Sequence, residues 1–600
     1  LMFVQHMIAS LKPEGHMATV MPHGVLFRGG KEKLIREHFI KHDLIEAIIS
    51  LPQGLFYGTG IPACVLIVNK SKPDTIRNKV LFINADREFA EGKNQNKLRP
   101  EDIEKIDHVF THKHQIDKYS RLVDAGEIAE QHDYNLNIRR YVDNTPEPEP
   151  EDVQAHLIGG IPEQEVSSQV DEFAKFKVST CDLTQPLRTG YLAFQPEISS
   201  KGDIKRTLEA NPELQQTIAF LHTQLEEWWL QARDDFARLE GNNQLPMVRG
   251  QLINSLKERL IPLGVLDEFK TAGVFVNWWQ HIRYDLKTIV NTGWHHTLIP
   301  DSYLTAAFFQ TEANELEGLD AKISEAQSEL AEAVEAVEYE PDEDEKVTAT
   351  VIKKHLKATI DDLKDSPNLS DSAKREIAQY EQQRDSMLAI EKRIKTHKDQ
   401  LKKKRDELTL KLELKRLGKA EKQAEIQALQ RQITQRQSEL DEAVDSALED
   451  VMDLMGSYAS SPEAMVQLKA TIKIHKDADT ETRNKLKGIQ KVMTAWLKEY
   501  NVLSKDAATL TAQEGQLDQL MEAIGGRITA AEAKTLILKK LHDLINNELN
   551  RYLNAEKRAL VAIAENWWDK YAVSGRELEE QRKHTLAELN GFLGKLGYLG

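Results

Sequence analysis

The stretch LIEAIISLPQGLFYGTGIPACVLIVN occupies residues 44–69 and decides the fold of the amino-terminal part of the chain. It holds two apolar runs of strand length, residues 44–51 and 62–69, which flank a loop with three glycines and two adjacent aromatic side chains. Runs that are apolar almost throughout are typical of strands that helices cover on both faces. We therefore predict a strand, a loop and a strand within an α/β layer.

The sequence on either side continues this alternation of strands and helices. Upstream, residues 16–21 (HMATVM) predict a strand after an amphipathic helix at the amino terminus, and residues 31–41 predict the helix before the central stretch. Downstream, residues 79–85 (KVLFINA) predict a fourth strand at the sheet edge, and residues 100–109 predict a short helix. We expect the ordered part to close with residues 134–142 (YNLNIRRYV).

The rest of the chain is predicted to be a boundary segment followed by helices. The alternating Pro and Glu of residues 144–152 (NTPEPEPED) cannot form helix or sheet ladders, so they predict an extended linker. From about residue 200 the pattern is helical nearly to the end. Three pairs of adjacent tryptophans lie in it, and on a helix such neighbours point about 100° apart, so we expect one of each pair in the core.

Heptad spacing predicts two coiled coils. The first seam consists of Leu316, Leu319, Ile323, Ala326, Leu330, Ala333 and Val337. The second consists of Tyr380, Met387, Ile394, Leu401 and Leu408, and it resumes at Ile426, Leu429, Ile433 and Leu440. The acidic link at residues 338–345 (EYEPDEDE) predicts a flexible hinge, after which the helices fold back as an antiparallel hairpin. Pairing of the seams with a partner chain is the equal alternative.

Composition excludes several functional classes. The formal net charge is -17, which argues against a chain that grips nucleic acid through bulk charge, so any DNA contact must be local. The basic run of residues 402–405 is one local candidate for a phosphate contact, although a solvated face is the commoner fate of such a run. Two cysteines, Cys64 and Cys181, provide no disulfide framework and indicate a reducing cytoplasm. No run of about 18 apolar residues predicts a membrane span.

The chemistry-bearing motifs are few. The 19 histidines show no HExxH or other paired metal spacing, and no Gly-x-Ser-x-Gly turn occurs, so we predict neither a metal site nor a hydrolase. The most informative segments are instead residues 21–27 (MPHGVLF) and residues 51–62 (LPQGLFYGTGIP), because glycines let a backbone approach a ligand and aromatic side chains offer a stacking face.

Residues 1–145, with these two segments and the terminal NLNIRRYV stretch, resemble the last third of the catalytic domain of type I modification subunits, which are DNA adenine-N6 methyltransferases. The resemblance implies a mixed, helix-flanked sheet of seven strands, of which this chain holds the last three. It also implies S-adenosylmethionine as cofactor. The fold class that we expect is an α/β partial class I methyltransferase (Rossmann-like) sheet, followed by a long, mainly α region with coiled coils.

The resemblance also indicates a pocket for an adenine rotated out of the duplex. Phe56 is the first candidate to stack on the base and Tyr57 the second. The expected target-base pocket comprises Phe56, Tyr57, Gly58, Thr59, Gly60 and Pro62. Further candidates for a pocket or DNA contact are His23, Gly24, Arg28, Lys31 and Arg36. The alternatives are that Phe56 only packs against the edge of the sheet and that His23 is a hydrogen-bonded structural histidine. For Arg28, Lys31 and Arg36 the alternative is a solvated helix face.

Two motifs of that family are absent from the 600 residues: a Phe-x-Gly-x-Gly-like cofactor turn placed after the first strand, and the Asn/Asp-Pro-Pro-Tyr/Phe motif that holds the target amine. We therefore expect no catalytic residue in this chain, no activity of the chain alone and no S-adenosylmethionine bound by it alone. In that family both motifs precede a segment like residues 3–15, so a missing upstream region is the expected explanation.

Residues 272–304 and 550–599 resemble the carboxy-terminal extension of some type I modification subunits. The implied partners are DNA, a specificity subunit, a second modification subunit and a restriction/translocase subunit, without a membrane.

The predicted domains are residues 1–143, 144–200 (linker and irregular segment), 201–312, 313–455 (coiled coils, with a hinge near 338–347) and 456–600. The rival functions are a noncatalytic coiled-coil scaffold with a relic methyltransferase fragment and a solitary methyltransferase that also cuts DNA.

Overall fold

The computed structural model describes residues 1–146, 150–239, 245–341, 346–365, 370–457, 462–475 and 479–596. Parts of the predicted linker and of the acidic hinge therefore lie outside the described residues. The chain divides into two compact units. The first unit consists of Leu1–Gly293 and Leu541–Gly600, and the second consists of Trp294–Lys540.

The amino-terminal segment forms a five-stranded mixed sheet with helices. Its strands are β1 (His16–Pro22), β2 (Ile45–Ser50), β3 (Ala63–Asn69), β4 (Lys79–Asn84) and β5 (Ser120–Asp124). Its helices are α1 (Met2–Ser10), α2 (Lys31–Lys41), α3 (Pro100–His112) and α4 (Ala125–Glu130). The strand order is β1-β3-β2-β4-β5, and β2–β4 is the parallel pair, whereas the other three pairs are antiparallel. The four predicted strands are confirmed, and β5 was not predicted.

Both faces of the central strands are buried, as the apolar runs predict, whereas every second residue of β1 is exposed. On one face Ile48 and Phe82 pack with Phe39 of α2. On the other face Ile49 and Leu81 pack with residues of α3. A buried polar side chain needs a partner to replace its hydration, and the two polar residues of β2 have one: Glu46 accepts hydrogen bonds from Asn69 and Lys113, and Ser50 Oγ lies 3.3 Å from His23 Nε2.

The segment after the acidic stretch is more structured than the sequence indicates. An extended and irregular course is expected for residues 144–200, yet a small α/β module lies within it. Its elements are α5 (Val153–Ile158), β6 (Ile161–Pro162), α6 (Glu163–Ser167), α7 (Val170–Ala174), β7 (Thr184–Arg188) and β8 (Tyr191–Phe194), with β8 central in a three-stranded sheet. Strands of two to five residues with prolines inside them give no readable alternation, which is why the pattern does not reveal them.

Long helices complete the first unit. They are α8 (Lys201–Ala210), α9 (Pro212–Ala237), α10 (Leu245–Leu260), α11 (Glu268–Thr292), the part of α20 (Ala530–Tyr571) from Leu541 on, and α21 (Gly575–Lys595). The small module packs on α20 through a buried carboxylate: Glu165 accepts hydrogen bonds from Lys570 Nζ and Tyr571 Oη, both at 2.7 Å. Phe173 stacks on Trp567 beside this pair, with ring centroids 5.6 Å apart.

A buried polar junction joins α3 to α11 and α20. Tyr552 Oη donates to Glu101 Oε2 at 2.5 Å and accepts from Asn277 Nδ2 at 3.0 Å. Burial raises the pKa of Tyr552, and the bond to Glu101 raises it further, so the phenol is a proton donor at neutral pH. Gly273 lies against this phenol, which leaves no room for a side chain. The amino-terminal segment is thereby fixed to the helices that follow it.

The first part of the second unit is an antiparallel coiled coil. It includes α12 (Asp301–Phe308), α13 (Gln310–Glu335), α14 (Ala349–Lys364) and α15 (Asp371–Leu417). Ion pairs along α13 and α15 run in opposite directions: Glu312–Lys411, Glu315–Lys404, Asp320–Arg405 and Glu329–Arg393. The buried residues of α15 include Met387, Ile394, Leu401 and Leu408, at the predicted seven-residue spacing. The first seam therefore pairs within the chain in the antiparallel sense that we predicted, but the chain does not reverse at the acidic link. The helix after the link, α14, also runs antiparallel to α15, with Lys353 paired to Glu391 and Lys364 to Glu381, so the reversal comes between α14 and α15.

A second antiparallel pair follows after Gly418. It is formed by α16 (Lys419–Glu449) and α19 (Thr480–Ala523), with α17 (Met452–Met455) and α18 (Pro462–Ile474) between them. Its contacts combine polar and apolar side chains: Gln423, Gln430 and Gln437 hydrogen-bond to α19 at seven-residue spacing, whereas Val444 and Leu448 pack with Ile489 and Met493. Leu429 was predicted in this seam but is 39% exposed, so the prediction was wrong at that position. Ile426, predicted in the same seam, is fully buried and clusters with Leu517.

The described residues contain neither a candidate membrane span nor a candidate metal cluster. None of their helices combines the length and apolar character that crossing a bilayer requires. No group of three or more His, Cys, Asp or Glu side chains in the described ranges is arranged to hold a metal ion.

Candidate functional site

Three strands of the larger sheet end at the same edge. β1, β2 and β4 run in one direction, because β3 is antiparallel to β1 and β2 while β2 and β4 are parallel. Their last residues are Pro22, Ser50 and Asn84. In open α/β sheets, ligands bind beyond the carboxyl ends of the strands. A site is therefore expected at this edge.

A cavity of about 840 Å³ lies there. It is lined by His23, Gly24, Phe27, Arg28, Ser50, Gln53, Ile61, Pro62, Asp86, Arg87, Phe89, Asn137, Ile138 and Arg139. The wall thus combines apolar and aromatic side chains with a few polar groups, which is the usual composition of a ligand site. Its volume is within the range of pockets that hold a small organic group such as a nucleobase.

His23 links the ends of two strands at the base of the cavity. Its Nε2 lies 3.0 Å from the Ala63 carbonyl oxygen and 3.3 Å from Ser50 Oγ. Burial lowers the pKa of His23 more strongly than the Ala63 carbonyl and the nearby Asp86 raise it. At neutral pH the ring is therefore uncharged, and Nε2–H donates to the carbonyl.

This pKa shift predicts a pH-dependent stability. The unfolded chain binds the proton of His23 more tightly than the folded chain, so the stabilisation is complete above the ordinary pKa of about 6.5 and is lost as pH falls through the lowered value. We expect the free energy of unfolding of the wild type to decline more steeply than that of His23→Gln between about pH 8 and pH 5. Urea unfolding of both proteins measures this difference, and parallel pH profiles would contradict it.

The rim of the cavity is positively charged. Arg28, Arg87 and Arg139 are exposed there, against one carboxylate, Asp86. Asp86 accepts from Arg139 Nη2 at 3.1 Å and from Asn144 Nδ2 at 2.6 Å. Because the whole chain carries -17, a rim with excess positive charge is a local departure from the average. Such a rim suits an anionic group, such as a phosphate, beside the cavity.

Gly24 and Arg28 are matched to each other. A Cβ built on Gly24 would lie 2.9 Å from Arg28 Nε and 3.0 Å from Arg28 Cζ, so the guanidinium rests directly on the glycine. The glycine therefore lets the arginine lie along the cavity wall. This contact explains why a glycine stands four residues before the arginine in the stretch MPHGVLFR.

The glycine-rich loop is held at its base and open at its tip. Asn96 Nδ2 donates to Gln53 O at 2.9 Å, and Gln95 Nε2 donates to Leu55 O at 2.7 Å. Beyond these bonds Phe56 is 42% exposed and Tyr57 is 83% exposed. Positive φ angles at Gly54 (66°) and Gly58 (73°) make the turns.

The structure brings together only part of the predicted site. His23, Gly24, Arg28 and Pro62 line the cavity. Phe56, Tyr57, Gly58, Thr59 and Gly60 lie in the adjoining loop but do not line it. Lys31 is an exposed residue at the start of α2.

Arg36 is placed away from the cavity. It is 3% exposed, and its Nε and Nη1 donate to the carbonyl oxygens of Tyr134 and Val25, both at 3.0 Å. Burial lowers the pKa of Arg36. The guanidinium thus joins α2 to neighbouring loops.

Several cavity residues were not predicted. They are Phe27, Ser50, Gln53, Ile61, Asp86, Arg87, Phe89, Asn137, Ile138 and Arg139. Asp86 and Arg87 follow closely after β4, so the rule that sites lie at carboxyl ends of strands would have found them. Asn137 and Arg139 lie 87 or more residues beyond Ser50, and only the folded chain brings them to the same edge.

The amino-terminal residues match a known family. The model of the family described as N-6 DNA Methylase covers residues 1–150. Residues 1–150 thus resemble the N-6 DNA methylase family. The methylase segment, as we call these residues, contains every residue that lines the cavity. The predicted resemblance is confirmed for this segment.

Curated relatives of the chain are methylase subunits of type I restriction enzymes. The MjaVIII methylase subunit of Methanocaldococcus jannaschii is 45% identical over 143 residues, which are 23% of this chain and 24% of the relative. The MpnII methylase subunit of Mycoplasma pneumoniae is 32% identical over 193 residues, which are 32% of this chain and 34% of the relative. The chain thus spans about a quarter to a third of the length of these relatives.

A solved structure also matches part of the chain. It is the methyltransferase subunit of a type I restriction-modification system from Streptococcus thermophilus, with 42% identity, a TM-score of 0.23, and coverage of 24% of this chain and 30% of that one.

Proposed function

We propose that the chain is part of a site-specific DNA methyltransferase of a type I restriction-modification system. The complete enzyme transfers the methyl group of S-adenosylmethionine to N6 of adenine. The observation that carries this proposal is the cavity at the carboxyl ends of β1, β2 and β4 within the methylase segment. In this proposal the five-stranded sheet is the last part of a class I methyltransferase (Rossmann-like) sheet.

The chain supplies the side of the catalytic domain that receives the target base. An adenine inside a duplex does not expose its amine to an enzyme, so it must be rotated out and held, commonly by stacking on an aromatic ring. Phe56 stacks on the base and Tyr57 is the alternative ring, because the open loop allows them to close over the cavity. Gly58, Thr59, Gly60 and Pro62 shape the loop. Arg28 at the rim contacts the flanking phosphates, and Lys31 extends this positive surface.

The residues present do not fit S-adenosylmethionine by themselves. The Phe-x-Gly-x-Gly spacing of the family's cofactor loop occurs in this sequence at residues 56–60 (FYGTG), but there it lies between β2 and β3 and not in the turn after the first strand of the sheet. The Asn/Asp-Pro-Pro-Tyr/Phe motif is absent from the sequence. The carboxylate that lines the cavity, Asp86, is already paired with Arg139 and Asn144, so it is not available to a ribose hydroxyl. We therefore propose that the chain alone binds no cofactor and is inactive, and that the catalytic residues belong to the part of the enzyme that carries these motifs.

The helical part serves assembly. The proposed partners are DNA, a specificity subunit, a second modification subunit and a restriction/translocase subunit, all in the cytoplasm, where DNA and S-adenosylmethionine meet. The described α13–α15 and α16–α19 seams pair within the chain, so the docking surface lies on the outside of these hairpins or on other helices. The five-part domain division given above remains a prediction beside the two compact units.

Reconstitution tests this function. The chain is joined behind the upstream half of a related methylase subunit that carries both motifs, and mass spectrometry measures N6-methyladenine in DNA after incubation with S-adenosylmethionine. We expect methylation, and a loss of about ten- to hundredfold in Phe56→Ala, because base stacking is worth about 1–3 kcal/mol.

The matched control is Phe220→Ala, a half-exposed phenylalanine on α9, which should leave methylation unchanged. Calorimetric titration of S-adenosylmethionine into the chain alone should give no heat of binding. Clear binding would show that the chain holds a cofactor site of its own. If both variants were fully active, Phe56 would not be part of the base pocket.

A further inference from the structure

The outer face of α15 carries an uncompensated positive charge. Lys392, Lys395, Lys398 and Lys402, which we call the lysine face, are all exposed. Their spacing of three, four and seven residues places them on one side of the helix. Within the described part of the chain, none of these four side chains has an ion pair or a hydrogen bond. Lys403 lies at the edge of the same face.

The other basic residues of this region have a different role. Arg393 pairs with Glu329, Lys404 with Glu315 at 2.8 Å, and Arg405 with Asp320 at 3.0 Å. These ion pairs hold α13 against α15. The run that the sequence presents as one basic cluster is therefore divided by the fold into cations that pair with α13 and cations that face solvent.

Few acidic groups offset the lysine face. Asp399 lies within it and is exposed, whereas Glu391 next to it is paired with Lys353 of α14. Between residues 392 and 402 the face thus holds four cations against one free carboxylate, and Asp406, also exposed, follows one turn beyond Lys402, in a chain of net charge -17. Like charges on a helix repel one another when they are unpaired, so a bound polyanion would relieve a cost that the folded chain carries alone.

We infer that the lysine face is a binding site for the phosphate backbone of duplex DNA. Residues 392–402 span about 15 Å along the helix, a length over which duplex DNA carries about nine phosphate charges. Lysine is a flexible point charge, which suits contact with phosphates without reading bases. The site is distinct from the cavity of the methylase segment and would hold DNA in a way that does not depend on sequence. It rests on the proposed function only for the choice of DNA as the polyanion.

The test is a salt titration of DNA binding by the full chain. Fluorescence anisotropy with a labelled duplex of about 40 base pairs, from about 50 to 200 mM salt, gives the slope of log K against log salt. In the quadruple variant K392Q/K395Q/K398Q/K402Q we expect the slope to fall by about 0.9 for each lysine that contacts a phosphate, and the affinity at low salt to fall at least about tenfold. Lys and Gln have similar helix propensity, so the fold should persist, which circular dichroism checks.

The matched control removes the same charge elsewhere. The variant K487Q/K491Q/K498Q/K505Q changes four exposed lysines of α19. It should alter the affinity less than about twofold. Equal losses in both variants would mean that net charge alone governs binding and would overturn the site, as would an unchanged slope in the α15 variant or no binding by the wild type. Displacement of the duplex by polyglutamate as effective as by unlabelled duplex would also overturn it, in favour of an acidic protein partner.

Failure of this site and failure of the proposed function are separate outcomes. Methylation by the reconstituted enzyme reports on the cavity, whereas the salt slope of the chain reports on α15. An active methyltransferase with an unchanged slope in the α15 variant would reject only the lysine face. A lost slope without methylation would reject only the proposed function.

Discussion

Replacing Trp278 with alanine is expected to destabilise the first unit by about 3–5 kcal/mol, because it leaves a large cavity in a packed core. Trp278 is fully buried on α11, and its Nε1–H donates to the Leu541 carbonyl at 2.8 Å. Phe275, Phe236 and Trp228 meet it edge-on, with ring centroids 5.5–5.9 Å apart. Urea unfolding followed by far-ultraviolet circular dichroism measures the loss.

The control is Tyr284→Ala, which removes another aromatic ring from the same helix. Tyr284 is 62% exposed, so its loss should change the free energy of unfolding by no more than about 0.5 kcal/mol. Equal effects of the two substitutions would contradict the position of Trp278 at the centre of this core. Trp278→Phe separates the contribution of the hydrogen bond from that of apolar packing, because it removes the bond to Leu541 and keeps most of the apolar volume.

Gly273→Ala is expected to destabilise the junction between α3, α11 and α20 by about 3 kcal/mol. The added Cβ would lie 2.3 Å from Tyr552 Oη and 3.0 Å from Glu101 Cβ, so the phenol must move and its bond to Glu101 is lost. Overpacking costs about 1–3 kcal/mol, and a hydrogen bond to a charged group is worth about 1.5–3 kcal/mol. The midpoint of thermal unfolding should fall accordingly.

Substitution of a second glycine, Gly318, is expected to stabilise the protein. Gly318 lies within α13, and a Cβ there would meet nothing within 4 Å. Gly318→Ala should therefore stabilise its helix by about 1 kcal/mol, from propensity alone. If Gly273→Ala were also stabilising, Tyr552 would not be held where the structure places it. Tyr552→Phe tests the hydrogen bond without adding volume.

The central strands β2, β3 and β4 were predictable to within two residues because most of their positions are buried. β2 is buried at all six positions, and four of its six residues are apolar. The edge strand β5 (SRLVD) is different: two of its five positions are exposed, and so short a pattern resembles a loop. The other edge strand, β1, was predicted although none of its positions is fully buried, since its seven residues give a longer pattern.

The coiled-coil seams were also visible, but their partner was not. The heptads of α13 and α15 show which side of each helix is apolar, whereas direction and partner follow from ion pairs such as Asp320–Arg405 between residues far apart in the sequence. The second pair shows the limit of apolar patterning, because Gln430 faces α19 and Leu429 faces solvent.

The candidate site was predictable only where it is local. His23 and Gly24 were found from one stretch of sequence, and Pro62 from another. Asp86 and Arg139 have no local signal that distinguishes them from other surface charges; their significance comes from meeting each other at 3.1 Å beside His23. Conversely Arg36 looked available because it is charged, but its hydrogen bonds to two carbonyls bury it.

The edge strand β1 has a consequence for how the chain behaves at different concentrations. Among the described residues β1 pairs with β3 on one side, and its alternate residues, including Val20 at 51% exposure, face solvent. Between His16 and Pro22 no lysine, bulge or internal proline blocks the open side. The β1 edges of two copies of the chain can hydrogen-bond to each other. The rate of this association is second order in protein concentration. Doubling the concentration of a preparation therefore quadruples the initial rate at which copies adhere through β1, while a strand docked on that edge would suppress the process at any concentration.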